Sequence, residues 1–166
     1  VMGMEVINVP GATGYLDTNY VGKAKYALNA LKRNDIVFVH VESPDEAGHE
    51  GSIRKKIRAI EDFDRYVVGT VLRGISGKIG EYKGISGRGF KVMVLPDHPT
   101  PIKAMTHTSD AVPFVIYQSK VQSPCLPTGT ATSNVKSYNE KEIKKSKLKI
   151  RDGHKLLKVF LRKNVL

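Results

Sequence analysis

The sequence predicts an α/β protein with a layered, largely parallel sheet flanked by helices, and three observations predict it. Short β-branched apolar runs alternate with segments whose apolar residues recur at helical spacing. One run, DIVFVHV at Asp35–Val41, is apolar almost without interruption, the pattern of a strand covered on both faces. Chemically capable side chains follow two of the runs directly, and ligands in open α/β sheets gather at the carboxyl ends of strands.

The elements follow in order. Met4–Val9 (MEVINV) reads as a strand ended by Pro10-Gly11. After a loop at Gly11–Gly14, Asp17 or Thr18 can cap a helix whose apolar residues are Tyr20, Ala24, Ala27, Leu28 and Leu31. Asp35–Val41 is the second strand. Ser52 can cap a second long helix, with Ile53, Ile57, Ile60, Val67, Val68, Val71 and Leu72 on one stripe and Gly74 as its C′ stop. Residues 74–89 hold Gly-Ile-Ser-Gly twice with lysines between, and two copies cannot build a solenoid, so this is a glycine-rich loop or hairpin. Lys91–Leu95 is a third strand, ended by Pro96. Val112–Tyr117 is a fourth, with Pro113 at its start or on a sheet edge. Residues 119–135 are rich in Ser, Thr, Pro and Gly and read as a loop. A last helix begins near Asp152 and is expected to bury Leu156, Leu157, Phe160 and Leu161.

Composition narrows the class. The 166 residues suit one domain or part of a larger one, and 40% hydrophobic content supports a core. No apolar run approaches the roughly 20 residues of a membrane span. The first ten residues, VMGMEVINVP, lack the charged and apolar regions of a signal peptide. Cys125 is the one cysteine, which leaves no internal disulfide framework and fits a reducing cytoplasm. The net charge of +11 is concentrated at Lys141–Lys163 and reads as a solvated lysine-rich face. A nucleic-acid-binding module is disfavoured: the basic segment has no interleaved aromatic platform, Trp is absent, and no zinc-finger or RNP-like pattern occurs.

The chemistry lies in three loops. Val41 is followed by Glu42-Ser43-Pro44-Asp45-Glu46-Ala47-Gly48-His49. Ser43 can be an N-cap and Pro44 the first position of a short helical turn, which sets Asp45 and His49 four apart on one face. Leu95 is followed by Pro96-Asp97-His98, and His107 comes shortly after. Two carboxylates and three of the chain's five histidines therefore fall in these loops, a donor set suited to zinc, manganese or similar ions. Taken alone, an Asp-x-x-x-His pair is a weak signal, and a lone histidine is most often structural. The two remaining histidines, His40 in a strand and His154 near a helix start, read as structural or surface residues.

The order D-x-x-x-H, D-H, H resembles that of the alkaline phosphatase superfamily. PGATGYLDTNY (10–20), HVESPDEAGHEG (40–51), LPDHPTP (95–101) and THTSDAVPFVIY (106–117) resemble the archaeal-type branch of the cofactor-independent phosphoglycerate mutases. The match runs from about residue 4 to 118, with weaker similarity in the last helix. The 74–89 segment is longer and richer in glycine than that family leads one to expect.

The resemblance implies an alkaline-phosphatase-like sheet, of which residues 1–166 form the C-terminal part. It implies two divalent ions, of manganese, zinc or cobalt: Asp45, His49 and His107 hold one, and Asp97 and His98 the other. It also implies a phosphoserine route between 3-phosphoglycerate and 2-phosphoglycerate. The nucleophilic serine, a further metal aspartate and the substrate-clamping residues are expected in an upstream half, so this chain carries no nucleophile. Ser43 does not match the family's nucleophile. Within the same class, a related metal-dependent phosphatase or phosphonate-processing enzyme shares the site chemistry, and a fragment without activity of its own is a further alternative. The sequence leaves the oligomeric state open.

Overall fold

The computed structural model describes residues 3–76, 89–118 and 135–161. The chain divides into two compact units, one formed by Val1–Arg88 with Thr100–Thr108, the other by Gly89–Pro99 with Ser109–Leu166. Among the described residues, no helix is long and apolar enough to cross a membrane.

The first unit is helical. Helix α1 is Tyr20–Ala30. Its N-cap is Asn19, not Asp17 or Thr18: the Asn19 side chain accepts from the Gly22 amide at 2.8 Å. The two expected caps are used one turn earlier, where Thr18 Oγ1 accepts from the Thr13 amide and Asp17 accepts from the Thr13 hydroxyl. Helix α2 is Ser43–His49 and helix α3 is Ile53–Asp62, the latter capped by Ser52 as its sequence position requires. A π-helical segment, Phe63–Val68, continues α3 into helix α4, Gly69–Ile75.

That π segment explains why one predicted stripe becomes two. A π turn holds more residues than an α turn, so residues after it are rotated relative to those before. Val67, beyond the start of the segment, is buried with Tyr20 and Ala24, and Val71 packs against that cluster. Ile53, Ile57 and Ile60, ahead of it, are exposed. Gly74 does not stop the helix. It lies inside α4, where a Cβ would come within 2.5 Å of Leu28 Cδ1, so the missing side chain lets α4 close on α1.

Met4–Val9 and Asp35–Val41, expected as strands, have no ladder partner among the described residues. Their side chains nonetheless alternate as in strands. Val37, Val39 and Val41 are half-buried, and Val39 and Val41 pack on the Tyr20 cluster, whereas Phe38 and His40 face outward with their rings stacked. One face is thus covered, and among the described residues nothing supplies the second covering that the apolar run predicts, with Phe38 73% exposed and Val6 93%.

The second unit holds strands β1, Lys91–Val94, and β2, Val115–Gln118. They pair antiparallel, Lys91 opposite Gln118 and Val94 opposite Val115. This ladder departs from the largely parallel sheet expected. Parallel neighbours need a crossover, usually a helix, and the segment between β1 and β2 contains none. Tyr138 pins the ladder's end, its hydroxyl donating to the Pro113 carbonyl at 3.1 Å, and burial pushes its phenol up to about 12. Helix α5 is Glu140–Ile143. A 3₁₀ turn at Gly153–Lys155, N-capped by Asp152, leads into helix α6, Leu156–Leu161. Of the four residues expected to be buried there, Leu156 is buried and Phe160 partly so, while Leu157 and Leu161 are exposed. His154 is on the surface. Of the glycine-rich 74–89 segment, Gly74 and Ile75 are helical and 77–88 lie outside the described residues, as does the 119–135 loop apart from Val135.

Candidate metal centre

Helix α2 carries the site, and its sequence accounts for its placement. Glu42 takes the N-cap position, so Ser43 is the first helical residue and not the cap, and Pro44 follows with its fixed φ and no amide to satisfy. The helix ends after His49. Gly51, at φ 66°, reverses the chain into the Ser52 cap of α3, in a conformation that glycine adopts without cost.

The Ser43 hydroxyl is 1% exposed and lies 2.6 Å from the Tyr20 hydroxyl. It therefore ties α2 to α1 beneath the site. Burial raises the Tyr20 pKa above its usual value, with the hydrogen bond to Ser43 opposing the rise.

On the opposite side of α2, the four-residue spacing brings Asp45 and His49 together. His49 Nε2 is 3.2 Å from Asp45 Oδ2. The loop that contains His107 returns to this point. His107 Nε2 is 3.1 Å from His49 Nε2 and 3.6 Å from Asp45 Oδ1. Three donor groups, far apart in sequence except for the one helical pair, thus converge.

The tautomer of His49 follows from its other nitrogen. Nδ1 is 3.0 Å from the Met105 carbonyl oxygen, which can only accept, so Nδ1 carries the proton. Nε2 of the neutral ring then holds a lone pair, aimed at His107 Nε2. Two imidazole nitrogens at 3.1 Å need a proton or a cation between them. A tetrahedral ion with bonds of about 2.0–2.1 Å has ligand-to-ligand edges of about 3.3 Å, close to the spacings seen. The carboxylate and two imidazoles therefore fit a divalent ion such as zinc, manganese or cobalt, with water completing the shell. The side chains of His107 and His49 are 52% and 36% exposed, so such an ion would be open to solvent.

Asp97 and His98 belong to the second unit. Asp97 Oδ1 accepts from the His98 amide at 3.0 Å, and Asp97 Oδ2 is 3.4 Å from His98 Nε2. The two side chains thus lie side by side on the loop after β1.

Two groups beside the ligands were not singled out in the sequence. Thr100 donates its hydroxyl to Asp45 Oδ1, and Met105 supplies the carbonyl that fixes His49. Thr100 had a usable signal, a hydroxyl three residues beyond Asp97 in a ligand-bearing loop. Met105 had none, because it contributes a backbone oxygen.

Comparison with known proteins follows the same direction. A family described as the metalloenzyme superfamily matches residues 1–162. The chain is 46% identical over 160 residues to a 2,3-bisphosphoglycerate-independent phosphoglycerate mutase of Methanosarcina mazei, covering 96% of this chain and 36% of that protein. It is 56% identical over 122 residues to the protein of the same name from Methanosarcina acetivorans, covering 74% of this chain and 29% of that one. The chain thus spans about a third of the length of the curated relatives it matches. Among solved structures, the PH0037 protein of Pyrococcus horikoshii superposes with a TM-score of 0.76 at 30% identity, over 95% of this chain and 42% of that one.

Proposed function

This chain belongs to the metalloenzyme superfamily, and from that premise we propose that it is the C-terminal, metal-holding part of a phosphoglycerate mutase that interconverts 3-phosphoglycerate and 2-phosphoglycerate. The observation that carries the reading is the convergence of Asp45, His49 and His107 in a chain 46% identical to a protein of that name. Asp45, His49 and His107 hold one divalent ion, and Asp97 and His98 contribute to a second. When bound, the ions supply positive charge that lowers the pKa of a hydroxyl nucleophile and neutralises phosphoryl oxygens. The nucleophilic serine and the remaining ligand of the second ion belong to the part of the enzyme that these 166 residues do not include. The layered, largely parallel sheet is completed there too, by strands that pair with 4–9 and 35–41 and elements that cover their bare faces.

The residues of this chain orient and hold. Asp45 contributes anionic charge that favours a cation over a proton between the imidazoles. His49, locked as the Nδ1–H tautomer, presents Nε2 without having to reorganise. Ser43 takes no part in the chemistry, because its hydroxyl is buried against Tyr20. Catalysis of this kind rests on preplaced charge more than on side-chain proton transfer.

The test is a titration with Mn²⁺ beside an enolase-coupled assay. The 166-residue chain is expected to bind about one ion tightly, to lose that binding in His49→Ala, and to show no mutase turnover. Joined to the remainder of the enzyme it is expected to turn over, and a chelator should abolish the activity. Loss of a covalent nucleophile costs several orders of magnitude in rate. Robust turnover by the isolated chain that Ser43→Ala abolishes would overturn the reading.

A further inference from the structure

We propose that Thr100 is a positioning residue for the metal ligand Asp45, working in concert with the Met105 carbonyl on His49. The inference rests on reading Asp45, His49 and His107 as a metal site and adds the groups that aim them.

Thr100 is set with unusual closeness for a loop residue. It is 4% exposed. Its hydroxyl donates to Asp45 Oδ1. Its backbone carbonyl accepts from Lys56 Nζ at 2.5 Å, which ties it to α3. It also lies directly on α2 at Gly48: a Cβ there would come within 2.7 Å of the Thr100 carbonyl oxygen and 2.9 Å of its Cγ2. Glycine between Asp45 and His49 is therefore what lets the Thr100 backbone approach the ligand-bearing helix.

The effect on Asp45 is directional. A carboxylate on a free side chain rotates about its terminal torsion and presents either oxygen. The Thr100 hydroxyl takes up one lone pair of Oδ1 and stops that rotation, leaving Oδ2 toward His49 Nε2 at 3.2 Å. Met105 does the equivalent for the imidazole. It is the one described non-glycine residue with positive φ, at 49°. Its amide, with that of Ala104, donates to the Pro101 carbonyl at 3.0 Å, which closes the turn that points its own carbonyl at His49 Nδ1. A left-handed conformation costs a non-glycine residue energy and persists when the surroundings determine it. Both ligands of α2 are thus oriented by one short segment, 100–105, before any ion arrives.

Outer groups of this kind typically change metal affinity by about 10–100-fold when removed. The experiment measures Mn²⁺ affinity of the full 166-residue chain by titration, with circular dichroism and a metal-free thermal melt on each variant. Thr100→Val keeps the shape and removes the hydroxyl, and is expected to weaken Mn²⁺ binding about 10–100-fold. Thr100→Ser restores the hydroxyl and is expected to bind within about threefold of the parent. Wild-type affinity in Thr100→Val, with binding still lost in His49→Ala, would overturn the positioning role and leave the metal site standing. Undiminished binding in His49→Ala would overturn both. If Thr100→Val does not fold, Thr100→Ser decides: parent-like affinity supports the role of the hydroxyl, and a tenfold loss in a folded Thr100→Ser overturns it.

Discussion

Helices α1 and α3 both carry an apolar stripe, and the two stripes meet opposite fates. In α1 the residues at apolar spacing, Tyr20, Ala24, Ala27 and Leu28, are all buried. In α3, Ile53, Ile57 and Ile60 form an equally regular stripe and are 61%, 52% and 50% exposed. The α3 stripe is the more sharply segregated of the two, so the exposure follows from what faces it. Helix α1 has α4 and the inner face of 35–41 against it, whereas among the described residues the α3 stripe has no comparable cover. The same contrast recurs within one segment, where Val39 and Val41 pack inward and Phe38 stays outside. An apolar pattern thus marks a face that can be covered, and packing decides whether it is.

Four substitutions can break or sharpen this comparison, read by urea denaturation of the chain. Leu28→Ala has the largest expected effect. Leu28 is fully buried against Gly74, so its truncation opens a cavity and should cost about 2–5 kcal/mol. A cost below about 1 kcal/mol would mean that the α1–α4 contact is not a packed core. Gly48→Ala comes next. The added methyl meets the Thr100 backbone, which Lys56 holds in place, and the expected cost is about 1–3 kcal/mol with weakened Mn²⁺ binding. Unchanged stability and affinity would show that the Thr100 loop yields.

Tyr20→Phe removes one partner of a buried hydroxyl pair and leaves Ser43 without it, at about 1 kcal/mol. Because Tyr20 lies under α2 and not beside His49 and His107, Mn²⁺ affinity should fall much less than in His49→Ala. Ile57→Gln has the smallest effect, within about 0.5 kcal/mol in this chain, because an exposed residue has little contact to lose. The same substitution made in the whole-length enzyme sharpens the contrast: a clearly larger cost there would identify the stripe as a buried face of the complete protein.

Local rules were written plainly in the sequence. The four-residue spacing of Asp45 and His49, Pro44 at the head of their helix, the Ser52 cap and the start of β1 all depend on neighbours within a turn or two, and all were legible. The resemblance of the motifs to a phosphoglycerate mutase family was legible for the same reason, because short words of sequence carry it. Asp17 and Thr18 were nearly right as caps. Several residue types can cap, and the choice of Asn19 is made by which side chain reaches the Gly22 amide once Asp17 and Thr18 bond back to Thr13.

Tertiary structure decided what depends on distant partners. The π segment at Phe63–Val68 splits one predicted stripe into a buried and an exposed part, because a single extra residue in a turn rotates everything after it. Gly74 became a site of close helix packing, not a stop, because Leu28, far away in sequence, needs the space of a side chain. Strand-like runs at 4–9 and 35–41 found no ladder here, since a strand's backbone is satisfied by another strand and cannot specify one alone. The sequence by itself determined that Asp45 and His49 share one face of a short helix and which short elements carry the other carboxylate and imidazole side chains. Only the folded chain decided that the Met105 carbonyl meets His49 and the Thr100 hydroxyl donates to Asp45, because directional contacts between residues more than fifty positions apart are set by packing and leave no period in the sequence.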